Sequence, residues 1–195
     1  MKLSTFFKTT CQLAIAIFVM ASAGAQTQYS SQVIDLKLNG TSNIHNWTIK
    51  AVNCNSDVNI TVVDGKVISL SKLDFILPVV NLKSEFTAMD KNTYRALRAD
   101  KNPTMEFVSS NATVTPTTLN SYQIKCEGRM TIAGSTKTIE LLAIGKYNPS
   151  DKSFTVVGVK KLKMTDYDVS PPKALLGTIK TGDDITISYD MKFNK

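Results

Sequence analysis

The chain has 195 residues, 23 Lys and Arg against 16 Asp and Glu, one histidine and a formal charge of +7. That length suffices for one domain with a real core. The basic excess contains no block of five or more like charges and no recognisable binding motif accompanies it, so nucleic acid is excluded as the expected partner.

Lys2 and Lys8, the apolar run Leu13 to Met20 and Ala23-Gly24-Ala25 follow one another in the order of a secretory signal peptide, with cleavage predicted after Ala25. No later segment approaches the ~20 apolar residues of a membrane span. Cys11 is predicted to leave with the signal. Residues 26–195 then form a single exported domain of 170 residues, and the loss of two lysines leaves a formal +5.

Strand-like segments follow closely. Ser31 to Asn39 alternates, placing Ile34, Leu36 and Leu38 on one face, and Ile44 to Val52 follows after Asn39-Gly40. Val58, Ile60 and Val62 run up to the hairpin signal Asp64-Gly65. Lys66 to Val80 restarts as strand, with Pro78 marking an edge or bulge.

Met89 to Phe107 then breaks the alternation. Asp90 is the expected cap, Met89, Thr93, Tyr94 and Leu97 recur at helical spacing, and Asn102-Pro103 stops the pattern. The opposite face carries Lys91, Arg95 and Arg98. A solvated basic face on a helix closing one end of a β core explains these cations, and so does a seat for an anionic head group.

Strands resume at Thr104 to Val114, Tyr122 to Ile132, Lys137 to Tyr147, Phe154 to Lys163 and Asp184 to Phe193. Between the last two, Thr165 to Lys180 contains Pro171-Pro172 and reads as a long loop, either functional or a crossover covering one end of the fold. Eight or nine strands with hairpin-length connections predict an all-β, antiparallel barrel or sandwich.

The chemistry-bearing residues are few. His45 alone would have to carry any histidine mechanism, strand spacing sets it opposite Ser42, and no GxSxG elbow occurs, so no catalytic residue is assigned and no enzyme is expected. No metal or cofactor is expected either, because His45, Cys54 and Cys126 lack a close-spaced ligand motif. Strand parity turns Cys126 inward and Cys54 outward unless a bulge intervenes near Asn53, which argues against a disulfide. Trp47 shares a face with His45, Ile49 and Ala51 and suits core packing or ligand stacking.

Four segments carry a family resemblance: SNIHNWTIKA at 42–51, MDKNTYRALRADKNPTMEF at 89–107, GRMTIAGSTKTIEL at 128–141 and MTDYDVSPPKALLGTIKTGDDITISYDMKF at 164–193. Together they resemble the YceI-like family, exported lipocalin-like β-barrels whose characterised members bind polyisoprenoid lipids. The chain is similar to a divergent branch, with His45-Asn46-Trp47 and Met89-Asp90 standing where other members carry different residues.

The resemblance implies a lipocalin-like barrel of about eight strands with one short inserted helix. It also implies a periplasmic or otherwise exported binding module for an amphipathic, isoprenoid-like lipid. Trp47, Ile49, Phe75, Leu77, Phe107, Met130 and Met164 would solvate the chain, and Lys91, Arg95 and Arg98 would meet the head group. The alternative is a structural or interaction protein of the cell envelope, its barrel filled by its own side chains. Envelope or membrane-surface contact and homodimerisation stay open. Intact-mass measurement on exported protein should give a chain beginning at Gln26, and retention of residues 1–25 would contradict the signal assignment.

Overall fold

The computed structural model describes residues 26–31 and 34–195; the expected signal peptide, its cleavage site and Cys11 lie outside the described residues. In chain order the elements are β1 (Gln26–Ser31), β2 (Ile34–Thr41), β3 (Asn46–Ala51), β4 (Asn55–Val63), β5 (Lys66–Pro78) and β6 (Leu82–Lys83). They continue through α1 (Thr87–Ala96), β7 (Thr104–Thr118), β8 (Ser121–Ile132), β9 (Ser135–Asn148), β10 (Ser153–Lys163), β11 (Lys173–Ala174), β12 (Ile179–Lys180) and β13 (Asp184–Phe193). Eleven strands form one sheet in the order β1-β4-β5-β7-β8-β9-β10-β13-β2-β3-β6, and β11 with β12 form a separate hairpin.

The register joins these eleven strands into eight antiparallel staves. Thr41↔Asn46, Leu36↔Ala51, Ser31↔Ser56 and Gln26↔Thr61 keep one constant offset, so β1 with β2 and β3 with β4 are two long strands, each interrupted once. β5 and β6 are likewise one stave, broken by the 3-10 turn Val79–Asn81. β13 pairs with β10 on one side and β2 on the other, and Ser30 and Asn194 exchange two backbone hydrogen bonds at 3.0 Å. Every stave therefore has two neighbours and the sheet closes into an up-and-down barrel, which leaves no full-length edge to template aggregation.

The interruptions change which face points inward. Inward residues of the second stave are Ile49 and Ala51 before the break, then Cys54, Ser56, Val58 and Ile60 after it. The switch sits at Asn53, which adopts φ 52°. In the first stave Leu36 lies on one side of the break and Tyr29 and Ser31 on the other, so both partners change parity at the same level and their register survives. Cys54, predicted to face outward, is consequently buried, and both Cys54 and Cys126 are free thiols.

The two ends differ. Tyr29, Tyr122, Tyr147, Phe154 and Phe193 pack with Val58, Ile60, Val67, Leu70, Ile124 and Met191 into a core at the end bearing the β4–β5, β7–β8 and β9–β10 hairpins. Tyr122 and Phe154 meet there in a tilted ring pair, centroids 6.3 Å apart. The Tyr122 hydroxyl accepts the buried Val67 N–H at 2.9 Å. Tyr122→Phe should leave that amide unpaired and cost about 1–3 kcal/mol, read as a lowered denaturant midpoint with an unchanged m-value.

Candidate ligand-binding cavity

At the opposite end the barrel is hollow. A cavity of about 550 Å³ opens there between α1, the 41–46 turn and the 164–183 connection. A smaller chamber of about 120 Å³ lies deeper, toward the aromatic end. Leu36, Phe75, Met130 and Ile187 line both and form the waist between them.

Three elements build the mouth. The turn after β2 is held by Ser42, whose N–H and hydroxyl both donate to the His45 carbonyl at 2.9 Å while its oxygen accepts the His45 N–H at 3.1 Å. This turn delays the strand to Asn46, so Ser42 and His45 both line the cavity, and the strand alternation that had set them on opposite faces does not apply. Among the described residues no side chain hydrogen-bonds the His45 imidazole, and no three His, Cys, Asp or Glu side chains converge to hold a metal.

The helix starts earlier and ends sooner than its sequence pattern suggests. It begins at Thr87 with Phe86 at the N-cap and no side-chain cap. Asp90 lies inside the first turn, buried, where its carboxylate accepts the Ser84 N–H at 2.7 Å and the Ser84 hydroxyl at 2.6 Å. It thus pins the chain leading into the helix instead of capping it, a favourable place for an anion near a helix N-terminus. Arg98, at φ 53°, terminates the helix before Asn102-Pro103 is reached.

α1 faces the cavity through Ala88, Met89, Asn92, Thr93 and Ala96, followed by Leu97. Tyr94 anchors its flank, with its hydroxyl donating toward the Val80 and Leu82 carbonyls at 3.0 and 2.9 Å and accepting from Lys83 Nζ at 2.8 Å. Lys91 and Arg95 are exposed on the other side, and Arg98 Nη2 donates to the Ala133 carbonyl at 2.5 Å. None of these three cations lines either chamber.

The 164–183 connection is ordered by short elements. Asp183 accepts the Thr165 N–H and hydroxyl at 2.9 and 2.7 Å, which holds its carboxyl below the usual range and staples the two feet of the connection. Tyr167 and Val169 are buried against the mouth-end core, and burial raises the Tyr167 hydroxyl pKa. The Pro171-Pro172 segment leads into the β11–β12 hairpin, and Pro172, Lys173, Ala174, Leu175, Ile179 and Thr181 line the mouth. Thus the long loop of the sequence is the crossover covering one end.

The apolar candidates converge. Trp47, Ile49, Phe75, Leu77, Met130 and Met164 line the large chamber, and Phe107 lines the small one with Phe75 and Met130. Trp47 Nε1 donates to the Thr41 carbonyl at 3.0 Å, which fixes the ring over Gly40, where a Cβ would collide with it. The sequence reading missed Leu36, Leu38, Ile132, Leu162, Ile185 and Ile187; all six are apolar residues in strands and could have been named from alternation. Met89, Met105, Met130 and Met164 all line the large chamber, giving it adaptable walls.

A YceI-like domain model matches residues 21–193. The chain belongs to the YceI-like family. No curated protein sequence matches it. Among solved structures it is similar to BcnA of Burkholderia cenocepacia, at 15% identity over 82% of this chain and 95% of that one, with a TM-score of 0.62. A polyisoprenoid binding domain from Saccharophagus degradans, implicated in plant cell wall breakdown, matches at 7% identity over 87% and 99%, TM-score 0.67. The Campylobacter jejuni YCEI protein matches at 17% identity over 80% and 85%, TM-score 0.57. At such identities these likenesses establish the fold they share with this YceI-like chain.

Both thiols of the YceI-like barrel are chemically quiet. Burial pushes the Cys54 and Cys126 thiols up, and burial pushes Tyr189, which lines the smaller chamber, up to about 12. Iodoacetamide at neutral pH should leave both cysteines unmodified in native protein and label both after denaturation, as counted by intact mass.

Proposed function

We propose that this protein is an exported, periplasmic binding module that holds an amphipathic, isoprenoid-like lipid, its apolar chain in the barrel interior and its head at the mouth. The observation carrying this reading is the cavity of about 550 Å³ walled by Trp47, Leu77, Met105 and Met130, within the ~300–1,000 Å³ range of small-molecule sites. Burial of apolar surface at ~25 cal/mol per Å², less ordering costs, accounts for micromolar binding without any covalent chemistry. The name of the Saccharophagus degradans relative supports an isoprenoid as the chain.

The head group meets Ser42, His45, Asn92 and Lys173, which line the mouth. Lys91 and Arg95 contribute at longer range from the far side of α1. No catalytic role is assigned to His45, whose imidazole is hydrogen-bonded by no side chain among the described residues. A wholly self-filled barrel is disfavoured by the open chamber at the mouth, which the aromatic cluster at the other end does not reach.

Organic extraction of protein purified from the exported fraction, followed by mass spectrometry, should release a lipid with a long apolar chain. Ala96→Phe, which adds a ring to the cavity-facing side of α1, should weaken binding of a long-chain isoprenoid alcohol by about tenfold or more while the far-ultraviolet spectrum stays unchanged. Unaltered affinity in that folded variant would remove the interior from the binding site.

A further inference from the structure

The mouth of the barrel carries an apolar rim that its own fold does not cover. Leu176 is 109% exposed, Leu175 71%, Phe86 60% and Ile44 59%. These are the tips of the three elements that surround the opening: the β11–β12 hairpin, the entry to α1 and the 41–46 turn. Two of the tips are fastened together. Asn43 donates from its N–H to the Lys180 carbonyl at 3.0 Å and from Nδ2 to the Thr178 carbonyl at 2.9 Å, and accepts the Lys180 N–H at 2.8 Å.

The hairpin tip is also strained in a way that presents leucine to solvent. Leu175, Leu176 and Gly177 have φ of 48°, 54° and 89° in succession. Glycine tolerates this region, but bulky L-residues in it are outliers that recur at functional sites. The 3-10 turn here buries none of its residues. Two leucines held in a disfavoured conformation and pointed into water need a partner that accepts hydrocarbon.

Charge identifies the partner. Lys173 and Lys180 are direct cross-strand partners at the base of that tip, both exposed, and among the described residues neither forms an ion pair. Among the acids of the same connection, Asp183 is engaged by Thr165 and Asp166 by the Lys163 N–H at 3.2 Å, while Asp168 is exposed near its first foot; Asp184, just beyond, pairs with Lys163 at 2.9 Å. Lys91 and Arg95 extend the positive charge along the exposed side of α1. Apolar tips backed by unpaired lysines match a lipid surface carrying anionic head groups.

We propose that the mouth rim docks on an anionic bilayer surface, with Leu175, Leu176, Phe86 and Ile44 inserted among the lipids and Lys173 and Lys180 at the head-group level. Docked in this way, the cavity opens onto the membrane, so a lipid can pass between bilayer and barrel without crossing water. The inference goes beyond the cavity reading and is tested separately from it.

The test uses the chain without its signal peptide and vesicles of phosphatidylcholine alone or with phosphatidylglycerol. Wild-type protein should co-sediment with the anionic vesicles and release in high salt. Leu176→Ser, which does not alter the cavity lining, should reduce that binding about tenfold or more; Lys180→Glu should reduce it at least fivefold on anionic vesicles only. Leu176→Trp should give fluorescence quenched by brominated lipids beyond the background from Trp47. Ile144→Ser, at an exposed apolar position on the barrel wall (54% exposed), serves as control and should bind as wild type.

Binding of a dispersed isoprenoid alcohol without vesicles should be unchanged in Leu176→Ser, so loss of that binding in wild type would count against the cavity reading alone. Absence of wild-type binding to anionic vesicles, or equal binding by Leu176→Ser, overturns the docking proposal. A dimer of wild type that Leu176→Ser converts to monomer without changing vesicle binding would assign the rim to a second copy of this chain and overturn it as well.

Discussion

Closure of the sheet is the constraint on which the rest of this molecule depends. β13 must pair with both β10 and β2, and it can do so only if the first two staves keep their register along their whole length. The break near Asn53 and the break between β1 and β2 fall opposite each other, so the strands exchange inward and outward faces together. A switch in one strand alone would turn a row of polar side chains into the interior or slip every downstream pairing by one residue. Closure also fixes the enclosed volume, because strand number and tilt set a barrel's width.

Within that fixed volume, side-chain size decides what is core and what is cavity. At the hairpin end five aromatic rings point inward from five different strands and fill the space. At the mouth end most inward positions hold aliphatic and methionine side chains, which with Trp47, Phe75 and Tyr167 line the wall without meeting across the middle. The waist of Leu36, Phe75, Met130 and Ile187 marks the transition. The same alternation of inward residues thus gives a more tightly packed end, with a chamber of about 120 Å³, and a cavity of about 550 Å³ at the other, and the packed end supplies much of the packing that the hollow end forgoes.

The covering elements are held by polar contacts whose partners lie far apart in sequence. Asn43 reaches Thr178 and Lys180, Arg98 reaches the Ala133 carbonyl, and Tyr94 binds the backbone on either side of Asn81. These contacts set the mouth's shape while leaving its lining almost wholly apolar. They also explain why Arg98 is not free to receive a ligand: its guanidinium satisfies a backbone carbonyl beside a tight hairpin.

Strand alternation, the Asp64-Gly65 turn and the one helical interruption were sufficient to determine an antiparallel all-β fold of eight or nine strands, since period and turn chemistry are local properties. Six of the seven apolar candidates at the large chamber were legible for the same reason, and Phe107 only missed it by one chamber. The sequence could not place Asp90, Arg98 or Cys54. Asp90 is claimed by Ser84 and Arg98 by Ala133, partners that no spacing rule names, while Cys54 is turned inward by a left-handed Asn53. Nor could spacing show that the larger cavity lies at one end, because volume depends on which side chains face each other across the closed barrel, and that is decided by tertiary pairing.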